Sequence, residues 1–317
     1  MDTRWDIPKD EKGIPCVYKE WQNLDSQTLG DIFSPSRYSR LFNDRDECID
    51  FFVKFLDEKS HKTRKLLKCE MNVPYGRKSN QTVDFYFPKD VKEDAPLLVY
   101  FHGGYWQFLS AASHGLVARH IVPHGAIVAL VSYTIAPQGS LPNMIQECRD
   151  AVAFCAKRYP KSRGVVVGGH SAGGQLAAMM LATDWTTEYG LPHDLLKGAC
   201  PGSGLFDLRP LVTTYINEPI GLNSETALDC SPVAYIPEIV KNSKHCKIRC
   251  IYGDGDPPSF EIQNQQFTQL LLEEGLDISC CKLKNTDHFE VVQNMWDENN
   301  ESVEIILKLL FPELSKT

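Results

Sequence analysis

The sequence lacks the features that mark membrane-spanning or nucleic-acid-binding proteins. No apolar run approaches the roughly 18 residues that a membrane span needs, and runs such as 126–131 are short. Positive charge is in deficit, because 33 Lys and Arg residues stand against 41 Asp and Glu residues. The resulting net charge of −8 argues against an electrostatic attraction to nucleic acid or to an anionic membrane. We therefore predict neither a nucleic-acid partner nor a membrane partner.

Disulfide and zinc patterns are also missing. The eleven cysteines are odd in number, are scattered from Cys16 to Cys281 and include no Cys-x-x-Cys spacing, which indicates reduced thiols. The polar, acidic residues 1–6 contain no apolar segment of the kind that a secretory signal requires. These observations predict a cytosolic protein. They leave open a nuclear pool and the oligomeric state, for which a homodimer is one expectation.

The pattern of apolar residues predicts an α/β fold. The chain has 317 residues, 43% of them hydrophobic, which is enough for a large core. From residue 65 onward, short β-branched or aromatic runs alternate with longer helical patterns, as in a mostly parallel sheet covered by helices. The predicted strands, about eight, are 65–72, 82–87, 97–101, 126–133, 164–168, 196–200, 247–252 and 278–283. The predicted helices are 111–121, 143–158, 172–183, 261–274 and 291–310.

Two segments fall outside this alternation. Residues 31–68 contain an apolar helical pattern that predicts an extension packed outside the sheet. Residues 207–244 contain four prolines among short helical stretches, and a long insertion of this kind is often a lid or a pocket wall. No linker rich in Pro, Gly or Ser divides the chain. We therefore predict one domain over residues 1–317, with a helical extension and a cap insertion.

The clearest chemical motif is Gly-His-Ser-Ala-Gly at 169–173, between a β-branched run and a helical pattern. This G-x-S-x-G sequence is typical of a nucleophile elbow, in which a strained turn holds the serine at a helix amino terminus. A side chain at Gly169 or Gly173 would collide with the neighbouring strand or helix. Glycine-rich turns also bind phosphates, but the P-loop and dinucleotide patterns are absent and no Lys lies nearby. We predict that Ser171 is a nucleophile exposed on this turn.

A second glycine-rich turn, His-Gly-Gly-Tyr-Trp at 102–106, follows the third predicted strand. A serine nucleophile needs hydrogen-bond donors for the charge that develops on the substrate oxygen. The N–H groups of Gly103 and Gly104 can face such a site, and with the N–H of Ala172 they would form an oxyanion hole. The alternative is a simple turn with Trp106 filling the core.

The general base should follow Ser171 in the chain, because sheets with this elbow carry their triad in the order Ser, acid, His. Of the three downstream histidines, His193 and His245 flank the cap insertion, whereas His288 lies in a polar loop after the last predicted strand. We therefore predict that His288 is the base. His170, beside the nucleophile, is expected to shape the elbow.

The acid is expected after strand 247–252, where the loop contains Asp254 and Asp256. We favour Asp256, whose carboxylate would hold the His288 imidazole in the required tautomer. Asp254 is the alternative, or a residue that closes the turn. The two aspartates lack the spacing of a calcium loop, and we predict no metal site.

With these residues, the chain resembles the α/β-hydrolase superfamily and, within it, the kynurenine formamidases (arylformamidases). The discriminating motif is 102–106, because the formamidases carry HGGxW where related hormone-sensitive-lipase-like esterases read HGGG or HGGA. Further similarity lies in SPSRY at 34–38, in SGLFDLRP at 203–210 and in the Ser-Pro pair at 231–232. The similarity covers nearly the whole chain.

The resemblance implies a serine hydrolase of tryptophan catabolism that cleaves N-formyl-L-kynurenine to L-kynurenine and formate without a cofactor or metal. Asp256 matches the last residue of the family's G-E-x-D-type loop, although Asp254 replaces the usual Glu. Tyr105 and Trp106 would pack on the aromatic ring of the substrate. Two alternatives are a general carboxylesterase or amidase of small acyl esters with the same triad, and a non-catalytic hydrolase fold that binds a ligand.

Overall fold

One eight-stranded sheet lies at the centre of the structure, a computed structural model that describes residues 6–16 and 19–316. The prediction that residues 1–6 contain no secretory signal concerns mainly residues 1–5, which lie outside the described residues. The strands are β1 (Lys68–Pro74), β2 (Thr82–Phe87), β3 (Leu97–Phe101), β4 (Ile127–Val131), β5 (Val165–His170), β6 (Leu196–Gly202), β7 (Lys247–Gly255) and β8 (Ile278–Asp287).

The strands lie in the order β1-β2-β4-β3-β5-β6-β7-β8. β2 is antiparallel to both β1 and β4, and the other neighbours pair in parallel. The prediction of about eight mostly parallel strands is confirmed. In parallel strands of this kind the carboxyl ends meet at one edge of the sheet, which is where ligands bind in open α/β sheets.

The sheet is covered on both faces, which explains why its central strands are continuously apolar. Successive side chains of a strand point to opposite faces. Leu97, Val99 and Phe101 of β3 accordingly lie in one apolar core, whereas Leu98 and Tyr100 lie in the other. The α-helices are α1 (Ser26–Ile32), α2 (Arg45–Leu66), α3 (Leu141–Arg158), α4 (Ala172–Met180), α5 (Trp185–Tyr189), α6 (Ser224–Asp229), α7 (Ile236–Ser243), α8 (Pro258–Glu273), α9 (Glu290–Gln293) and α10 (Glu301–Leu310). In the part of the chain that the structure describes, no helix is long and apolar enough to cross a membrane.

Several predicted elements differ from the observed ones, and β7 and β8 both extend past their predicted ends at 252 and 283. The strand predicted from residue 65 begins at Lys68, because α2 continues to Leu66. The helix predicted over 111–121 is a 3-10 helix, Ala111–Ala118. The helix predicted over 291–310 is interrupted before α10, because Asn299 adopts a φ of 62° and the side chain of Asn300 accepts the Val303 N–H at 3.2 Å as the helix cap.

Candidate active site

Ser171 occupies a strained turn between β5 and α4. Its backbone has φ 57° and ψ −119°, a combination that residues other than glycine rarely adopt. A Cβ atom on Gly169 would collide with the backbone of Gly173, and one on Gly173 would collide with the carbonyl oxygen of Phe101. The two glycines therefore allow β3, β5 and α4 to meet closely. The Ser171 side chain lines a cavity but is only 4% exposed, so the expectation of an exposed serine was wrong.

His288 and Asp256 meet because they follow two strands that are paired in parallel. Gly255 of β7 lies opposite Asp287 of β8, which places the next residue of each strand side by side. His288 Nδ1 lies 2.6 Å from Asp256 Oδ1, and both side chains are buried. His288 also lines the cavity that Ser171 faces. The structure thus places the predicted nucleophile and base at one cavity and pairs the predicted acid with the base.

The second oxygen of the Asp256 carboxylate is held by two donors. Ser203 Oγ donates to Asp256 Oδ2 at 2.6 Å, and the N–H of Gly253 donates to the same oxygen at 2.8 Å. Ser203 is fully buried directly after β6. Ser203 begins the SGLFDLRP segment at 203–210, for which no catalytic role was predicted. A polar residue directly after a parallel strand, at the edge that holds Ser171, was the available signal.

The contacts of Asp254 are with backbone N–H groups and with Arg40. Its carboxylate accepts the backbone N–H groups of Asn285 and Thr286 at 3.0 Å each and lies 3.3 Å from the guanidinium of Arg40. The backbone donors of Thr286 and Asn285 hold the pKa of Asp254 below its usual value. Asp254 therefore ties the end of β7 to the end of β8, which agrees with a structural role rather than with that of the acid.

Three histidines around the site are buried, His102, His114 and His170. Burial lowers the pKa of His102 to about 3 and that of His114 to about 4. Burial, and then the nearby His288, hold the pKa of His170 well below its usual value. His170 Nε2 donates to the backbone carbonyl of His288 at 2.8 Å, so it supports the loop that carries the predicted base.

The predicted oxyanion-hole residues surround Ser171. Ala172 is the first residue of α4, so its N–H has no partner within the helix. A Cβ atom on Gly103 would lie 3.4 Å from the Cβ of Ser171, which shows how closely this turn approaches the serine. The carbonyl of Gly103 accepts from His102 Nδ1 at 2.8 Å. The N–H of Gly104 belongs to the same trans peptide and therefore points away from His102.

Tyr105 and Trp106 lie in different environments. Tyr105 lines the cavity, and its hydroxyl donates to the carbonyl of Phe33. Trp106 is fully buried, donates from Nε1 to Gln175 Oε1 at 3.0 Å, and is not among the described residues that line the cavity. The expectation that Trp106 contacts substrate is therefore corrected, because its indole is held in the core by Gln175, which itself donates to the carbonyl of Cys230 at 2.8 Å.

The cavity in front of Ser171 has a volume of about 360 Å³. Segment 31–68 and segment 207–244, the predicted extension and cap, both contribute to its wall. Its apolar side chains include Ile49, Phe52, Phe108, Ile216 and Phe289. Within residues 6–16 and 19–316, no three or more His, Cys, Asp or Glu side chains are grouped so that they could hold a metal ion.

Comparisons with known proteins agree with this architecture. A family model described as the α/β-hydrolase fold matches residues 98–213. The kynurenine formamidase of Danio rerio is 36% identical over 291 residues, which cover 92% of this chain and 98% of that protein. The kynurenine formamidase of Salmo salar is 35% identical with the same coverage. The solved structure of a Pyrobaculum calidifontis esterase has the same fold, with a TM-score of 0.65 at 20% identity over 84% of this chain and 93% of that one. This chain therefore has the α/β-hydrolase fold and belongs to the kynurenine formamidases.

Proposed function

We propose that this chain is an arylformamidase that hydrolyses N-formyl-L-kynurenine to L-kynurenine and formate. The observation that carries the proposal is that Ser171 and His288 line one cavity and Asp256 pairs with His288, in a chain that matches a protein named kynurenine formamidase over 92% of its length. A serine, a histidine and a carboxylate in this arrangement are suited to acyl transfer.

In the proposed acylation step, Ser171 Oγ attacks the formyl carbon while His288 Nε2 accepts the serine proton. Asp256 accepts a hydrogen bond from the proton-bearing Nδ1 of the same ring at 2.6 Å, which leaves Nε2 free to act as the base. The carboxylate also stabilises the imidazolium that forms. Asp256 is itself oriented by the hydroxyl of Ser203.

The negative charge that develops on the formyl oxygen is received by the N–H groups of Gly103, Gly104 and Ala172. His288 next donates its proton to the departing aryl amine, and the C–N bond breaks to leave a formyl ester on Ser171. Water then attacks this ester while His288 accepts the water proton. Formate leaves and the serine recovers its proton.

We also propose that residues 1–317 form one domain in which segment 31–68 and segment 207–244 are the substrate-binding walls. Phe52 from the first segment and Ile216 from the second line the cavity, and apolar walls suit an aromatic amine. The acyl side has only a formyl group to accommodate, and the close approach of Gly103 to Ser171 is consistent with a small space there.

A cytosolic location, a nuclear pool and a homodimer are further proposals. All eleven cysteines are free thiols, which supports a reducing compartment. Cell fractionation tests the two locations, and light scattering on the purified protein tests the dimer. The net charge of −8 supports the absence of a nucleic-acid partner, which a gel-shift assay tests.

A general carboxylesterase with the same triad is the competing function, since the fold is shared with an esterase. The test is to measure kcat/KM for N-formyl-L-kynurenine and for p-nitrophenyl acetate on one preparation. The proposal predicts a clear preference for the formamide. A preference for the acetate ester would leave the general esterase standing, and turnover of neither substrate would leave a non-catalytic ligand-binding protein.

A further inference from the structure

The cavity has a charged end as well as an apolar wall. Two of the described residues that line it carry a full charge, Arg45 and Glu218. Arg45 comes from the first turn of α2, and Glu218 follows the short 3-10 helix Tyr215–Asn217 in segment 207–244. The two segments outside the sheet therefore each supply one charge, of opposite sign.

Arg45 is held by neutral partners. Its Nη2 donates to Ser34 Oγ at 3.1 Å and to Tyr215 Oη at 3.3 Å, and its Nε donates to Ser36 Oγ at 3.4 Å. Ser34 and Ser36 are both buried. Among residues 6–16 and 19–316, no carboxylate forms an ion pair with Arg45, and neither hydrogen on its Nη1 has an acceptor. The guanidinium is therefore oriented but its charge is not neutralised.

The position of Arg45 is also unfavourable for the helix that carries it. A cation in the first turn of a helix opposes the helix dipole, which favours negative charge at that end. Asp44 and the acidic residues at 46 and 47 satisfy that preference at the start of α2. Helix stability thus gives no reason for an arginine at this position, whereas a ligand that needs a guanidinium would.

The two charges match the head group of an amino acid. The two N–H groups on Nη1, which have no acceptor among the described residues, can form charge-assisted hydrogen bonds to a carboxylate. Glu218 is exposed and forms no ion pair with another described residue, so its carboxylate is available for an ammonium group. Phe52 and Phe289 line the same cavity, with ring centroids 4.8 Å apart, as an apolar surface for the rest of the ligand.

We propose that Arg45, oriented by Ser34, Ser36 and Tyr215, binds the α-carboxylate of the substrate, and that Glu218 binds its α-ammonium group. The cavity then selects aryl formamides that carry a free amino-acid head. This inference rests on the proposed function, because it assumes that an aryl formamide reacts at Ser171.

The test compares three substrates on wild type and on Arg45→Gln. The substrates are N-formyl-L-kynurenine, its des-amino analogue, which keeps the carboxylate, and ortho-formamidoacetophenone, which has neither charge. We expect Arg45→Gln to lower kcat/KM about 10- to 100-fold on the two carboxylates, mainly through KM. Turnover of ortho-formamidoacetophenone should change by less than about threefold, because it makes no charge-assisted bond with Arg45.

Two further variants complete the test. Glu218→Gln should lower kcat/KM only a few-fold, because an exposed ion pair contributes little, and only on the substrate with an ammonium group. Lys62→Gln makes the same charge change as Arg45→Gln on an exposed side chain of the same helix, paired with Glu58, and should leave all three substrates unchanged. Arg45→Lys, which keeps the charge but loses the hydrogen bonds that orient the guanidinium, should recover part of the lost kcat/KM.

The outcomes separate the inference from the proposed function. An equal loss on all three substrates in Arg45→Gln would show a structural role for Arg45 and overturn the inference. Unchanged kinetics on the carboxylates would overturn it too, while turnover by wild type would leave the formamidase function intact. If wild type hydrolyses none of the three formamides, the proposed function itself fails.

Discussion

Replacing Asp256 by asparagine tests the geometry of the triad, because the contacts of its carboxylate dictate how the new amide must lie. Ser203 Oγ and the N–H of Gly253 both donate to Oδ2, at 2.6 and 2.8 Å. In Asp256→Asn these two donors hold the carboxamide oxygen in place. The carboxamide NH₂ is then directed at His288 Nδ1, which lies 2.6 Å from the other oxygen of the native carboxylate.

Two donors cannot share that contact, so the imidazole of His288 takes the tautomer with its proton on Nε2. In that tautomer Nε2 cannot accept the proton of Ser171. The corresponding change in a serine protease lowers kcat about 10⁴-fold. We expect a loss of the same order in Asp256→Asn, equivalent to roughly 5–6 kcal/mol of transition-state stabilisation at about 1.4 kcal/mol per tenfold.

Asp254→Asn is the matched control, since it makes the same chemical change two residues away. The Asp254 carboxylate pairs with Arg40 at 3.3 Å, and side chains exposed by 32% and 40% form a weak ion pair. Such pairs contribute about 0–1 kcal/mol to stability, and the backbone N–H groups that Asp254 also accepts belong to Asn285 and Thr286 rather than to the triad, so kcat should stay within about threefold of wild type. The assay is kcat on N-formyl-L-kynurenine, with melting temperatures to verify folding. Equal losses in the two variants, or an Asp256→Asn protein within tenfold of wild type, would refute the assignment of the acid.

Three other changes test the surroundings of the triad. Trp106→Phe leaves Gln175 Oε1 without its donor, so the free energy of unfolding should fall by about 1–3 kcal/mol, and kcat/KM should change by one common factor for aromatic and aliphatic substrates. A loss confined to aromatic substrates would instead support the contact between Trp106 and the substrate ring that the sequence suggested. Ser203→Ala removes a donor to the triad carboxylate and should lower kcat about 10- to 100-fold at constant KM; an unchanged kcat would contradict its positioning role. Burial lowers the pKa of His102 to about 3 and that of His114 to about 4. Between about pH 6.5 and pH 4 the unfolded chain therefore binds more protons than the native protein. The free energy of unfolding should therefore decrease as the pH is lowered from about 6.5 to about 4, by up to about 1.4 kcal/mol per pH unit for each histidine. Urea titration at several pH values measures this decrease. His114→Gln should reduce that slope and His124→Gln, at an exposed position, should not; equal slopes in all three proteins would refute the linkage.

The nucleophile turn was predictable because its constraints are local. Gly169 and Gly173 are required by the backbone contacts around Ser171 itself, and the strand and helix on either side have clear periodicities. The choice of Asp256 over Asp254 came from its match to the family's loop. The register that places Gly255 opposite Asp287 was not predicted, because β7 and β8 extend beyond their predicted ends at 252 and 283.

The position of Trp106 could not be read from the same kind of pattern. Tyr105 and Trp106 adopt φ values of 46° and 59°, so the turn sends successive side chains in directions that neither helical nor strand periodicity describes. The side chain of Tyr105 reaches the cavity, whereas that of Trp106 enters the core toward Gln175. The core filler that the sequence analysis gave as an alternative is the observed environment.

The charged end of the cavity was equally inaccessible from sequence. Arg45 lies at the start of α2, and its distance in sequence from Ser171 gives no sign that the two share a cavity. Their proximity depends on how α2 packs near the carboxyl edge of the sheet, where the ring of Phe52 contacts that of Phe289. Such packing is a tertiary property, so only the structure indicates where the amino-acid head of a substrate would bind.

The central claim, that Ser171 hydrolyses N-formyl-L-kynurenine, is tested most directly by measuring formate and kynurenine release with wild type and Ser171→Ala. We predict equal amounts of the two products with wild type. Loss of the nucleophile should lower kcat by a factor on the order of 10⁶, as it does in another serine hydrolase, while the melting temperature stays close to that of wild type. A folded Ser171→Ala protein that releases both products at a near-normal rate would contradict the claim.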